Sequence, residues 1–154
     1  MQAIDASTEV TPKELAKSVS ALWVRLMRGT TTGAFAVLEE YDLQTTHLKS
    51  MMALRNCEVE LSVKELSANV GLSLPAISRT VDALLKRGFV ERREDEHDRR
   101  IKRIELTPAG HAVLDRFDAA RLDGLEGFAA SLSPDQRSQL HAAIAALDLN
   151  TCKS

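Results

Sequence analysis

LSVKELSANVGLSLPAISRTVDALLKRGFVERREDEHDRRIKRIELTPAG, residues 61–110, decides how this chain folds. Ser62 and Glu65 have capping-box spacing, in which each side chain bonds the other residue's backbone N–H at a helix start. Val63, Leu66 and Val70 give that helix a buried face, and Gly71 supplies the left-handed stop. A second helix restarts at once. Ser73 caps it, Ile77, Val81, Leu84 and Leu85 face inward, and Gly88 closes it. Two short helices across a tight glycine turn form a helix-turn-helix. Next, "FVERRE" and "RIKRIEL" set Phe89, Val90, Ile101, Ile104 and Leu106 among charges, the pattern of two half-buried strands. The polar "DEHD" between them is the turn. A helix-turn-helix followed directly by a hairpin is a winged helix.

The hairpin is dense in opposed charge. Residues 91–105 hold six basic and six acidic side chains in fifteen positions. Residues 62–103 carry ten Lys/Arg against seven Asp/Glu, while the whole chain is at −2. The rest is therefore acidic, and the middle of the chain is the part suited to a polyanion. Carboxylates on the hairpin are expected to hold the arginines in place. Glu94, Asp95 and Glu96 are expected on the far side from a polyanion or paired with arginines.

Working outward, Thr11, Pro12 and Glu14 open a helix over 12–40, whose stripe is Leu15, Val19, Leu22 and Leu26. The stretch "GTTTG" (29–33) weakens it. A helix over 45–56 is capped by Thr45 or Thr46. After the hairpin, Thr107 and Pro108 start a long helix with Leu114, Phe117, Leu125, Phe128 and Leu132 along one side. Ser133, Pro134 and Gln136 start the last one, with Leu140, Ile144 and Leu147. The expected fold class is mainly α with a small β-hairpin wing: a winged helix-turn-helix lobe (45–106) flanked by N- and C-terminal helices (12–40 and 108–147), in one domain of 154 residues.

Composition excludes several classes. The N-terminus has no signal-peptide pattern, no stretch reaches the length of a membrane span, and a cytoplasmic location is the default. Cys57 and Cys152 make neither a disulfide framework nor a zinc ribbon. The histidines at 47, 97, 111 and 141 lack metal-ligand spacing, so neither metal nor cofactor is expected. No phosphate loop, nucleophile elbow or His-x-x-x-His pair suggests catalysis.

The run of helix, "GLS", "SRTVDALLKRGFVERRE", "DRR" and "LTPAG" resembles the MarR family of bacterial transcriptional regulators, and the likeness extends from about Leu15 to Leu147. That resemblance implies a homodimer whose outer helices interlock. It also implies a double-stranded, pseudo-palindromic operator read by two recognition helices about one helical turn, roughly 34 Å, apart.

By the same resemblance 74–87 is the recognition helix and 89–106 the wing. Pro75, Ala76, Ser78 and Arg79 face outward, because Ile77, Val81 and Leu84 must face the core. Arg79 suits guanine, which a guanidinium bonds bidentately. Asp98, Arg99 and Arg100 match the family's Asp-x-Arg wing tip. Arg100 is expected to enter the minor groove, Asp98 to orient it, and Arg99 to meet a phosphate. Ser62 and Lys64 are placed to hold the backbone. Many relatives are repressors that release DNA on binding a small aromatic or phenolic ligand. The residues roughly positioned for that here are Trp23, Met27, Arg28, His47, Met51 and Arg55. Trp23 fits a core or interface role better, and His47 fits a solvated helix start. Two alternatives stay open: a switch through oxidation of Cys57, and a winged helix used only for protein contact.

Overall fold

The computed structural model describes residues 10–57, 60–95, 98 and 100–147. The elements in order are α1 (Pro12–Glu40), α2 (Thr45–Asn56), β1 (Leu61–Ser62), α3 (Val63–Val70), α4 (Leu74–Lys86), β2 (Val90–Glu94), β3 (Lys102–Leu106), α5 (Pro108–Ala130) and α6 (Pro134–Ala145). The expected mainly α winged helix-turn-helix is present. The chain divides into two compact units, residues 33–121 and residues 1–32 with 122–154. Both divisions fall inside helices rather than at their ends.

The central unit is built as the patterns require. Ser62 Oγ accepts from the Glu65 N–H at 3.2 Å, and the Ser62 N–H donates to Glu65 Oε2 at 2.7 Å. Gly71 ends α3 at φ +73°, and Gly88 follows α4 at φ +72°; both are values that a Cβ disfavours. Leu66, Ile77, Val81, Leu84, Ile104 and Leu114 bury their side chains together with Met51. The sheet has three strands in the order β1-β3-β2, all antiparallel. The strand β1 is an addition to the expected hairpin. It is two residues long, with Leu61 opposite Ile104 and Ser62 opposite Arg103, too short for any alternation to show.

Three caps differ from expectation. The N-cap of α2 is Gln44, not Thr45 or Thr46, so both threonines sit inside the first turn. Ser73 stands at the N-cap of α4, but its side chain makes no cap hydrogen bond. Pro75 at the second helical position has no N–H to offer it. The helix α4 ends at Lys86, with Arg87 as its C-cap.

The outer unit contains the start of α1, the end of α5, and α6. Residues Gly29 and Gly124 let α1 and α5 touch backbone to backbone. A Cβ built on Gly124 would lie 2.7 Å from both the Gly29 oxygen and the Thr30 Cα. The guanidinium of Arg25 lies over the Phe128 ring at 5.4 Å and bonds Ser131 Oγ at 3.2 Å. Much apolar surface is left uncovered: Leu15, Val19, Trp23, Val24, Ile144 and Leu147 are all exposed, and α6 buries no residue.

Candidate nucleic-acid interface

The helix α4, the second of the helix-turn-helix, turns Ile77, Thr80, Val81 and Leu84 into the core. Geometry then fixes what faces out. Pro75 and Arg79 are exposed, while Ala76 and Ser78 are half-buried beside them. At the start of α3 Lys64 is exposed, and the Ser62 hydroxyl is held in the capping box. The same box keeps the Glu65 carboxyl below its ordinary range, first through the Ser62 side chain and then through the Ser62 backbone.

The hairpin's charges sort themselves by partner. On β2, Arg92 pairs with Asp82 of α4 at 2.7 Å, which ties the hairpin to that helix. Arg93 pairs with Glu91 at 3.0 Å and with Glu105. Lys102 pairs with Glu94 at 2.7 Å. Arg103, half-buried, bridges Asp95 and Glu65, each at 2.7 Å. Behind α4, Arg87 pairs with Asp42 at 2.6 Å. Glu94 and Asp95 are therefore paired with basic side chains, as the sequence suggested, and Glu96 lies outside the described residues. Glu91 and Glu105 face each other across the strands. The hydrogen bond between them lowers the Glu91 pKa and raises that of Glu105, which burial raises further.

What is left unpaired is informative. Among the described residues of 62–103, the cations without a carboxylate partner are Lys64, Arg79, Lys86 and Arg100. Three of these are the side chains expected to meet DNA. At the wing tip, Asp98 Oδ1 accepts from the Arg100 backbone N–H at 2.9 Å, and the Asp98 N–H donates to Asp95 Oδ1 at 3.0 Å. Asp98 thus shapes the turn that presents Arg100, rather than gripping its guanidinium. Arg99 lies outside the described residues.

The six residues placed by rough position for a small ligand fare differently. In the outer unit Trp23, Met27 and Arg28 are exposed. In the central unit each of the other three has a structural role. Met51 is wholly buried in the core. Arg55 pairs with Asp118 at 2.8 Å and Asp115 at 3.7 Å. His47 is buried, not solvated, and its Nδ1 accepts the Gln44 N–H at 3.0 Å. Sequence reasoning missed that role because histidine is not a usual partner in a capping box. Cys57, half-buried at the end of α2, packs against the core, with Asn69 Nδ2 at 3.9 Å from its sulfur. Cys152 lies outside the described residues. No group of three His, Cys, Asp or Glu side chains converges among the described residues, and none of their helices is long and apolar enough to cross a membrane.

Burial holds the His47 pKa below its ordinary 6.5, and the neighbouring Arg87 lowers it further against the opposing pull of Asp42. The unfolded chain, with the ordinary value, takes up the proton more readily. The neutral ring's contribution is therefore complete above the ordinary value and is lost as pH falls below it. Thermal unfolding followed from about pH 7.5 down to about pH 5 should show a falling midpoint. In His47→Gln that part of the fall should vanish; an identical profile would refute the assignment to His47.

Comparison with known proteins agrees with this geometry. Residues 46–102, from the first turn of α2 to the first residue of β3, match the sequence model of the MarR family. RV1404 from Mycobacterium tuberculosis is similar at TM-score 0.76 and 19% identity, over 92% of this chain and 95% of that one. The transcriptional regulator Tm0710 from Thermotoga maritima is similar at TM-score 0.73 and 17% identity, over 84% and 90%. S. aureus MepR, in a crystal structure of its complex with DNA, is similar at TM-score 0.70 and 20% identity, over 82% and 94%. The block that matches the MarR family model thus spans the helix-turn-helix and most of the wing, and the fold shared with these solved structures continues into the flanking helices.

Proposed function

We propose that this protein is a sequence-specific regulator of transcription that binds double-stranded DNA as a homodimer. The observation that carries the reading is the sorting of charge. Five cations of the helix-turn-helix and wing are bound to the protein's own carboxylates, whereas Lys64, Arg79 and Arg100 stand free on three separate elements. A helix start, a recognition helix and a wing tip are where the winged helix meets backbone, major groove and minor groove. A module for protein contact alone has no need of that arrangement. The DNA complex of similarly folded MepR supports the same use.

Dimerisation is supported by the exposed apolar rows of α1 and α6, which one copy leaves bare. Two copies then give the two-fold symmetry that a pseudo-palindromic operator demands. Repression, with release by a small aromatic or phenolic ligand, is the mode the family resemblance favours. Of the residues first placed for such a ligand, Trp23, Met27 and Arg28 are exposed in one copy of the chain.

The test is binding to the intergenic DNA beside the protein's own gene at several salt concentrations. Wild type should bind with a steep salt slope. Arg100→Ala should lose affinity and flatten that slope by about two, one for the cation lost from each subunit. Wild type that shows no salt-dependent binding to that DNA, or to a random-site pool, would overturn the reading.

A further inference from the structure

The first turn of α4 presents a surface made of carbon. Between the hydroxyls of Ser73 and Ser78 stand Leu74, Pro75, Ala76 and Ile77. None of these four side chains can donate or accept a hydrogen bond. Ile77 is buried in the core, whereas Leu74 is 50% exposed, Pro75 is exposed and Ala76 is half-buried. The backbone adds little polarity, because Pro75 has no N–H. A lone leucine on a surface needs no explanation. Three successive carbon side chains at the start of a helix that also carries the unpaired Arg79 do need one. Pro75 precedes Arg79 by four positions, so the two share one face, about 6 Å apart along the helix. That is about two base-pair steps of roughly 3.4 Å each. Leu74 stands in the same relation to Ser78.

Charge decides what covers this surface. An apolar protein partner that buried Leu74 would also take Arg79 out of water without a counter-charge, which is costly. Duplex DNA suits both kinds of side chain. Its phosphates and base edges answer the cations, and its major groove holds one apolar group, the 5-methyl of thymine. The other groups on the base edges there are donors and acceptors, and carbon laid against them leaves them without water or partner. We propose, resting on the regulator reading above, that Leu74 and Pro75 read the 5-methyl groups of thymines within about two base pairs of the base that Arg79 reads. Arg79 then sets the register by hydrogen bonds, and the turn before it selects thymine over cytosine, which presents an amine and no methyl.

The test uses the full chain. Wild type selects its sites from a random duplex pool, and Arg79→Ala locates its base as the position where the preference relaxes. Each thymine within two base pairs of that position is then replaced by deoxyuridine, which keeps every hydrogen-bonding group and lacks only the 5-methyl. Affinity for both duplexes is measured for wild type and for the doubly substituted Leu74→Ala, Pro75→Ala protein. Both residues are exposed, so the substitutions spare the core, and a thermal melt checks this. The selected half-sites should carry thymine at that place. Deoxyuridine should cost wild type about fourfold per methyl, and so on the order of tenfold for two subunits. The double variant should distinguish the two duplexes by less than about twofold, since little carbon is left to lose. Half-sites without thymine there, or equal wild-type binding with and without the methyls, would overturn the assignment and leave the regulator reading standing. A loss on deoxyuridine that the double variant shares in full would assign the methyl effect to DNA shape and overturn it as well. A protein that selects no site from the pool would remove the regulator reading, and the thymine contact with it.

Discussion

Replacing Gly110 by alanine should destabilise the winged lobe by about 3 kcal/mol, the upper part of the range for forced overpacking. A simple helix argument gives the opposite sign, since alanine is favoured over glycine by about 1 kcal/mol in a helix interior. Space decides the matter. Gly110 lies in the first turn of α5, where Thr107 stitches the helix to the end of α4. The Thr107 hydroxyl donates to the Gly88 carbonyl at 2.6 Å, and its N–H donates to the Phe89 carbonyl at 3.1 Å. A Cβ on Gly110 would lie 2.1 Å from that same Phe89 oxygen and 3.0 Å from Leu106 Cδ2. The oxygen belongs to the backbone and cannot rotate aside. Either α5 withdraws and loses the Thr107 bond, or Phe89 shifts and disturbs its edge-on contact with Tyr41, centroids 5.8 Å apart. The unfolding midpoint should drop by about 10 °C for a chain of this size. A midpoint at or above that of wild type would mean that α5 and the Phe89 backbone do not approach this closely.

Arg79→Ala should have the largest effect on sequence choice. Arg79 follows the buried Ile77 by two positions and so projects from α4 away from the core. No carboxylate holds it. A bidentate arginine–guanine contact contributes about 1–3 kcal/mol of discrimination. Its loss should therefore reduce operator affinity by roughly ten- to a hundredfold and random-DNA affinity far less. The comparison with Lys64→Ala is decisive, because a phosphate contact weakens both duplexes alike. Equal losses on operator and random DNA for Arg79→Ala would reassign it to the backbone.

Much of this was legible in the sequence because the fold rests on local devices. The Ser62–Glu65 and Ser133–Gln136 boxes, the two left-handed glycines and the inward positions of α4 are each set within a few residues. What escaped detection depends on the partner across space. The strand β1 exists because Leu61 meets Ile104, some forty positions away. His47 reads as solvated from its neighbours in sequence, because burial beside Arg87 and Asp42 leaves no mark near residue 47. Asp98 was expected to orient a side chain, and it bonds a backbone N–H instead; the motif gives the residue but not the atom. The wing charges could be counted in advance. Their pairing required the register that sets Arg93 opposite Arg103 and brings Glu91 against Glu105.

That pairing bears on how such a protein would search a genome. Non-specific grip grows with the number of counterions a protein displaces from DNA. A wing whose strand cations are already neutralised by Glu91, Glu94, Asp95 and Glu105 displaces few. On the function proposed above, its dwell time on a wrong sequence would be shortened to that extent, and more positions would be sampled per second. The acidic residues of the hairpin, which look ill-suited to a nucleic-acid surface, would thus help to set the rate at which the molecule lets go.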